Sequence, residues 1–540
     1  MYKLVFLLLC SSFALGQNYT RQDSLRGQIT AERAWWDLQK YELRVTVHID
    51  DQSISGTNLI SYTVLEEGVQ RLQLDLQKPM KIDKVMQDGK QLDILQDGIA
   101  HYVLLNKMMK KGKNETLEVH FSGKPKIAKN PPWDGGFVYR TDSNGLPFVA
   151  NANQGIGSSI WWPNKDHPYD EPDQGTVISV TTPANLMNVS NGQLIKVDST
   201  DTHKTWTWEV VNPINNYGIN INIGDYVHFG ETYKGESGPL KVDYYVLREN
   251  EEKARKQFQQ TTDMLEAFEH WFGPYPFYED GFKLVEAPYL GMEHQSSVTY
   301  GNGYMNGYRG MDLSRSGWGM KFDFVIIHEA GHEWFANNIT NSDVADMWIH
   351  EGFTAYSENL YLDYHYGKKA AADYVIGTRK IIANDIPIIG DYGVNNRGSS
   401  DMYYKGANTL HTLRQLIEDD DLWRDILRGL NKEFGKRTVS SKQVEDYISN
   451  RTKKDLSAFF NQYLRTTMIP KLEVKVDGNT MKYRYTNIVE DFDMPVIAML
   501  NDKEKWIFPS AEWKSEELDE SLKFFAVKRD FYVDYTLIED

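Results

Sequence analysis

Two histidines four residues apart, in His328-Glu329-Ala330-Gly331-His332, carry the strongest chemical signal in the chain. On a helix, residues at that spacing share one face about one turn apart. Both imidazoles can then reach one metal ion at about 2.0–2.1 Å. Glu329 follows the first histidine directly and can approach a water held at that metal without ligating it. A third protein ligand is needed, and Glu351 stands 19 residues after His332, in Trp348-Ile349-His350-Glu351-Gly352. It falls in a second helical stretch that a short connection can fold back antiparallel. Two neutral imidazoles and a carboxylate suit zinc, and a catalytic site leaves one position for water. Glu358, seven residues further on the same face, is placed to orient a ligand histidine. The alternative is a pair of histidines on a solvated helix face. Phe324-Val325-Ile326-Ile327 argues against it, because this helix is apolar just before the motif. Burying two histidines and a glutamate there without a partner would be costly.

His328-Glu329-x-x-His332, then eighteen residues, then Glu351 in W-x-x-E-G-F, resembles the aminopeptidase N family of zinc metallopeptidases, which includes the leukotriene hydrolase branch. Gly291-Met292-Glu293 is similar to the core of that family's Gly-x-Met-Glu-Asn exopeptidase motif, and Tyr403-Tyr404-Lys405-Gly406 to its Tyr-x-Lys-Gly segment. Gln154, nine residues before Pro163 and twelve before Asp166, is a weaker match. Two positions depart from the pattern: His294 stands where the family has Asn, and Leu290 where the motif's first Gly belongs. The resemblance implies one zinc per chain held by His328, His332 and Glu351, with Glu329 as general base and Tyr403 as donor to the oxyanion. It implies that Glu293 binds the substrate's α-ammonium, with Gln154 as polar partner and Gly291 and Met292 beside them. The expected substrates are peptides with a free N-terminus. An epoxide hydrolase, an endopeptidase and a binding protein on a dead peptidase scaffold are the competing readings; the intact catalytic positions oppose the last, and Glu293 opposes the endopeptidase.

Elements able to position these residues are legible in the periodicity. Leu43, Val45, Val47 and Ile49, and then Leu72, Leu74 and Leu76, alternate with polar residues, as half-buried strands do. Turn pairs such as Asp88-Gly89 and Asn191-Gly192 separate the runs. Glu251 to Trp271, Lys321 to Asn338 and Asp346 to Tyr366 read as helices. Between 290 and 310 the chain reads as loop or short strands. From Lys471 alternation returns, with an Asp477-Gly478 turn opening a hairpin. The expected fold is multidomain α+β: an N-terminal antiparallel β domain over 17–232, a thermolysin-like, mainly helical catalytic domain over 233–467, and a small C-terminal β-sandwich domain over 468–540. Against the family pattern, these 540 residues are expected not to include the long helical C-terminal domain of many relatives.

The chain has 540 residues, enough for several domains, with 41% hydrophobic and 25% charged residues, as in ordinary globular proteins. A net charge of -17 opposes binding to nucleic acid or to anionic membranes. Lys3, the apolar run Leu4 to Leu9 and Ala14-Leu15-Gly16 read as a signal peptide over residues 1–16, so the product is expected to be exported, periplasmic or secreted. A lipoprotein anchor at Cys10, the single cysteine, is the other reading. No later stretch is apolar enough to span a membrane, and no obligate protein partner is evident. Trp161-Trp162 reads as core packing. Tyr169-Asp170-Glu171-Pro172-Asp173 reads as a solvated turn, with calcium binding as the alternative.

Overall fold

The computed structural model describes residues 19–68 and 70–538. The expected signal peptide and Cys10 lie outside the described residues. The N-terminal domain is built on a ten-stranded sheet around the long strand Trp36–His48. That strand buries alternate residues (Leu38, Tyr41, Leu43, Val45, Val47), as a one-face-buried strand must. It pairs antiparallel with Ser53–Val64 but parallel with Thr176–Pro183, Tyr41 lying opposite Thr176, so the expected all-antiparallel sheet is mixed. Trp161 and Trp162 are fully buried, Trp162 standing edge-on to Tyr41 at 4.9 Å, as core residues. A second, four-stranded sheet contains Pro147–Ala152, which ends two residues before Gln154. The acidic cluster expected to be a solvated turn is instead largely buried: Asp170 is 9% and Glu171 8% exposed. Asp170 forms an ion pair with the buried Lys165.

The next sheet has five strands, in the order Tyr226–Gly235, Gly238–Leu247, Phe282–Glu286, Val298–Tyr300, Gly291–Met292. The expected domain boundary at 232/233 therefore falls inside its first strand, and the change of sheet comes before Tyr226. The helix expected from Glu251 to Trp271 is two helices, Glu251–Gln257 and Gln260–Phe272. The catalytic half packs the motif helix Phe324–Gly331, the ligand helix Trp348–Tyr366 and the tyrosine helix Tyr404–Ile417 into one apolar core. The hairpin Lys471–Asp477 with Thr480–Thr486 turns at Gly478 (φ +60°) and opens a C-terminal domain of two sheets, one of four strands and one of three. Side chains from both, among them Val474 and Tyr485 on one and Val496 and Phe525 on the other, join the core beneath the helices. Among the described residues, no helix is long and apolar enough to cross a membrane.

Candidate active site

Every residue of the motif helix is buried. Asp323 caps it, accepting from Val325 N at 3.1 Å, and also accepts from Tyr300 Oη at 2.7 Å and Asn302 Nδ2 at 2.8 Å. The expected continuation to Asn338 does not form: the helix gives way after Gly331, and Ala336 sits at φ 150°. His328 and His332 stand one turn apart with ring centroids 5.0 Å apart. Their Nε2 atoms lie 3.8 and 3.3 Å from Glu351 Oε2, the carboxylate coming from the first turn of the ligand helix. The other ring nitrogens are held from behind. His328 Nδ1 meets Glu358 Oε1 at 2.7 Å; His332 Nδ1 meets Phe335 O at 3.0 Å and Thr354 Oγ1 at 3.1 Å. Such backing fixes the ring orientation and leaves Nε2 for a metal.

The donor set asks for a cation. Glu351 Oε2 is buried with no hydrogen-bond partner and faces two imidazole edges, an arrangement that would be costly if nothing neutralised it. Burial pulls the His328 imidazole down, but the facing Glu351 carboxylate and the bond to Glu358 overcome it and hold it well above the ordinary range. Burial pushes Glu351 up, yet His332 and His328 hold it well below the usual carboxylate range. Both directions express one demand for positive charge between these three side chains. Two imidazoles and one carboxylate, their ligand atoms all within 4.8 Å of one another, fit a zinc ion.

The remaining expected residues surround this triad in a pocket of about 330 Å³. Burial, reinforced by Glu293, pushes the Glu329 carboxyl up to about 7 against the pull of His328. Gly291 brings bare backbone against it: a Cβ there would stand 3.1 Å from Glu329 Oε1 and 2.7 Å from Val325 Cγ1. Met292 lines the pocket next to it, whereas His294, the departure from the family pattern, is buried outside the lining. Gln154 reaches in from the N-terminal domain, its Nε2 donating to Glu293 Oε1 at 2.7 Å and Glu351 Oε1 at 2.8 Å. Tyr403 stacks on His328 at 6.0 Å between centroids. Its register follows from the crossing of two helices: a Cβ on Gly406 would lie 2.8 Å from Gly352 Cα, so the backbones behind Tyr403 and Glu351 touch. Sequence reasoning missed three neighbours. Tyr217 sets its phenol beside Glu293 and Glu351, Asn337 Nδ2 donates to Glu293 O at 2.9 Å, and Arg397 lines the pocket. None belongs to a motif or a periodic pattern that could have pointed to it.

Residues 256–463 match the Peptidase family M1 domain. A probable aminopeptidase 1 of Sulfurisphaera tokodaii is 20% identical over 467 residues, covering 83% of this chain and 55% of its own length. Leukotriene A-4 hydrolase of Xenopus laevis is 21% identical, covering 82% of this chain and 73% of its own. The chain thus spans little more than half the length of the first of these relatives. In fold it is similar to the M1 zinc metallopeptidase of Deinococcus radiodurans, with a TM-score of 0.67 at 20% identity over 82% of this chain and 96% of that one. With the HExxH pair, the glutamate nineteen residues on, the exopeptidase strand and the tyrosine converging in one pocket, the stretch 256–463 carries the site of a peptidase family M1 domain, and its donor triad fits the zinc that this family implies.

Proposed function

We propose that the chain is a zinc-dependent aminopeptidase that hydrolyses the N-terminal bond of peptides, with one zinc per chain held by His328, His332 and Glu351. The observation that carries this reading is the amide of Gln154, which joins Glu293 to the metal-side Glu351. An α-ammonium has a pKa of about 7.7–8.0 and is largely protonated at neutral pH. Seated on Glu293 beside Gln154, it fixes how far the chain can enter, and only the first peptide bond then reaches the triad. Zinc, when bound, supplies a Lewis acid and lowers the pKa of water toward about 7. Glu329 takes the proton from the attacking water and delivers it to the leaving amine. Its placement on the motif helix, one residue from His328, keeps it beside the reacting atoms. Tyr403 donates its phenolic proton in a hydrogen bond to the oxygen that gains charge, a contribution of about 3–4 kcal/mol in comparable sites.

The test compares leucine, alanine and arginine p-nitroanilides with their N-acetylated twins, with and without chelator and zinc readdition. Cleavage of the free-amine forms alone, abolished by chelator and restored by zinc, is the expected result. Equal cleavage of the acetylated forms would remove the role of Glu293.

A further inference from the structure

The turn that carries Glu293 is held from two directions. Gln154, from the N-terminal domain, donates to its carboxylate at 2.7 Å. Its backbone is held from the other side, by the chain that directly follows His332. Asn337 Nδ2 donates to Glu293 O at 2.9 Å, and Glu333 Oε1 accepts from Ser296 N at 2.8 Å, with Ser296 itself at φ 52°. Asn337 is buried, and its own oxygen accepts from Asn215 Nδ2 at 3.1 Å, which fixes the orientation of its amide. The backbone is bent to bring it there. In an uninterrupted helix Asn337 would point about 140° around the axis from His332. Instead Ala336 takes φ 150° and ψ -47°, a region that residues with a Cβ rarely enter. Its surroundings hold it: Thr340 Oγ1 donates to Ala336 O at 2.7 Å, Asn337 N to His332 O at 3.0 Å, and the Phe335 ring stacks on Phe353 at 4.5 Å. Phe335 O in turn backs His332 Nδ1 at 3.0 Å. One strained turn thus fixes His332 through a carbonyl and the Glu293 backbone through a side chain two residues on. The two must agree closely, since a carboxylate oxygen of Glu293 and a ring nitrogen of His332 lie within 4.8 Å of each other.

We propose that Asn337 is a positioning residue that sets the distance between the ammonium seat and the metal triad. This role rests on the aminopeptidase reading above and deepens it. Asn337 does not line the catalytic pocket; it acts through the backbone of Glu293. A single carbon, Cα, separates the α-nitrogen of a peptide from its first carbonyl. The seat therefore cannot drift without carrying that carbonyl away from the metal position, and a misplacement of about 1 Å costs about 10²-fold in rate.

L-leucine hydroxamic acid carries an α-amine and a zinc-binding group at that same short separation, so it reads the distance. Butylamine reads the seat alone, and acetohydroxamic acid the metal alone. Binding of all three to the zinc-loaded full chain is measured by calorimetry. Asn337→Ala should bind both fragments as tightly as the wild type does, and leucine hydroxamate weaker by about tenfold or more, because the two ends no longer engage together. Unchanged affinity for leucine hydroxamate would overturn the role. A parallel loss for acetohydroxamate or for butylamine would overturn it too, since Asn337 would then support one site and not the distance between them. Asn337→Ser, one bond too short to reach Glu293 O, decides in the same way should the alanine variant fail to load zinc. If leucine hydroxamate gains nothing over acetohydroxamate on the wild-type chain, the ammonium seat itself is overturned, and with it the aminopeptidase reading on which this role rests.

Discussion

Glu329 shares its helix with both imidazoles and makes no hydrogen bond among the described residues, so its carboxylate is free to exchange a proton. Glu329→Gln keeps the shape and removes the base. The variant should retain zinc at the wild-type ratio, since none of the three ligands changes, while kcat falls by roughly 10²–10⁴. Metal analysis and p-nitroanilide turnover on the same sample check both halves, and substantial remaining turnover would remove the general-base role. Glu358 acts one bond further out. It accepts from His328 Nδ1 at 2.7 Å and from Tyr374 Oη, which aims the imidazole at the metal position. Glu358→Gln should therefore weaken zinc binding by about 10–100-fold, read by competition with a chelator of known affinity. Unchanged affinity would make Glu358 a packing residue only.

Helix placement turns these side chains into a site, and the tightest constraint is the Gly352–Gly406 crossing. Glycine is needed at 406, where a Cβ would lie 2.8 Å from Gly352 Cα, and at 352 a Cβ would press on Met402 O at 3.1 Å. Gly406→Ala should cost about 1–3 kcal/mol of stability by overpacking and should lower kcat more than it raises KM, by pushing Tyr403 away from the oxyanion while the zinc ligands stay in place. Denaturation midpoints and steady-state kinetics test this; a variant with kcat intact would show that the crossing serves stability alone. The same elements show what was readable beforehand. The histidine pair and Glu351 lie on two helices whose spacing is visible in the chain, and the apolar run Phe324–Ile327 announced their burial. The break after Gln257 was not visible, because Phe258, Met264, Leu265 and Phe268 keep one face apolar across it. The strand Tyr226–Gly235 prolonged the alternation of the first domain, so the boundary was drawn inside it. The acidic run at 169–173 hides its burial for a related reason: it looks solvated until Thr340, 169 residues away, meets Glu171 and the buried Lys165 pairs with Asp170.

Over the whole molecule, buried ionisable groups set how stability follows pH. Burial pushes the Glu333 and Glu171 carboxyls up to about 8 from an ordinary 4.5. The folded chain therefore keeps protons that the unfolded chain releases above 4.5, and the stability they contribute falls as pH rises toward 8. Burial pulls His294 and His350 down to about 3 from 6.5, so their contribution is lost in the opposite direction, as pH drops below 6.5. Between pH 6.5 and 8 only the carboxyl effect operates for these four groups, by up to roughly 2 kcal/mol each. The melting temperature of the zinc-loaded protein should decline across that window, and Glu333→Gln should flatten the decline; parallel slopes for the two proteins would remove Glu333 as a cause. Least legible of all was Gln154, which reaches its partners from 139 and 197 residues away in the chain. It also sits outside the stretch that matches the family domain. On the proposed reading, the preference for a free chain end is then not a property of the peptidase core alone. It belongs to a seam between two bodies, where one amide measures their alignment, and any change that slides the β domain by the length of a hydrogen bond would convert an exopeptidase into an enzyme with little regard for where a peptide begins.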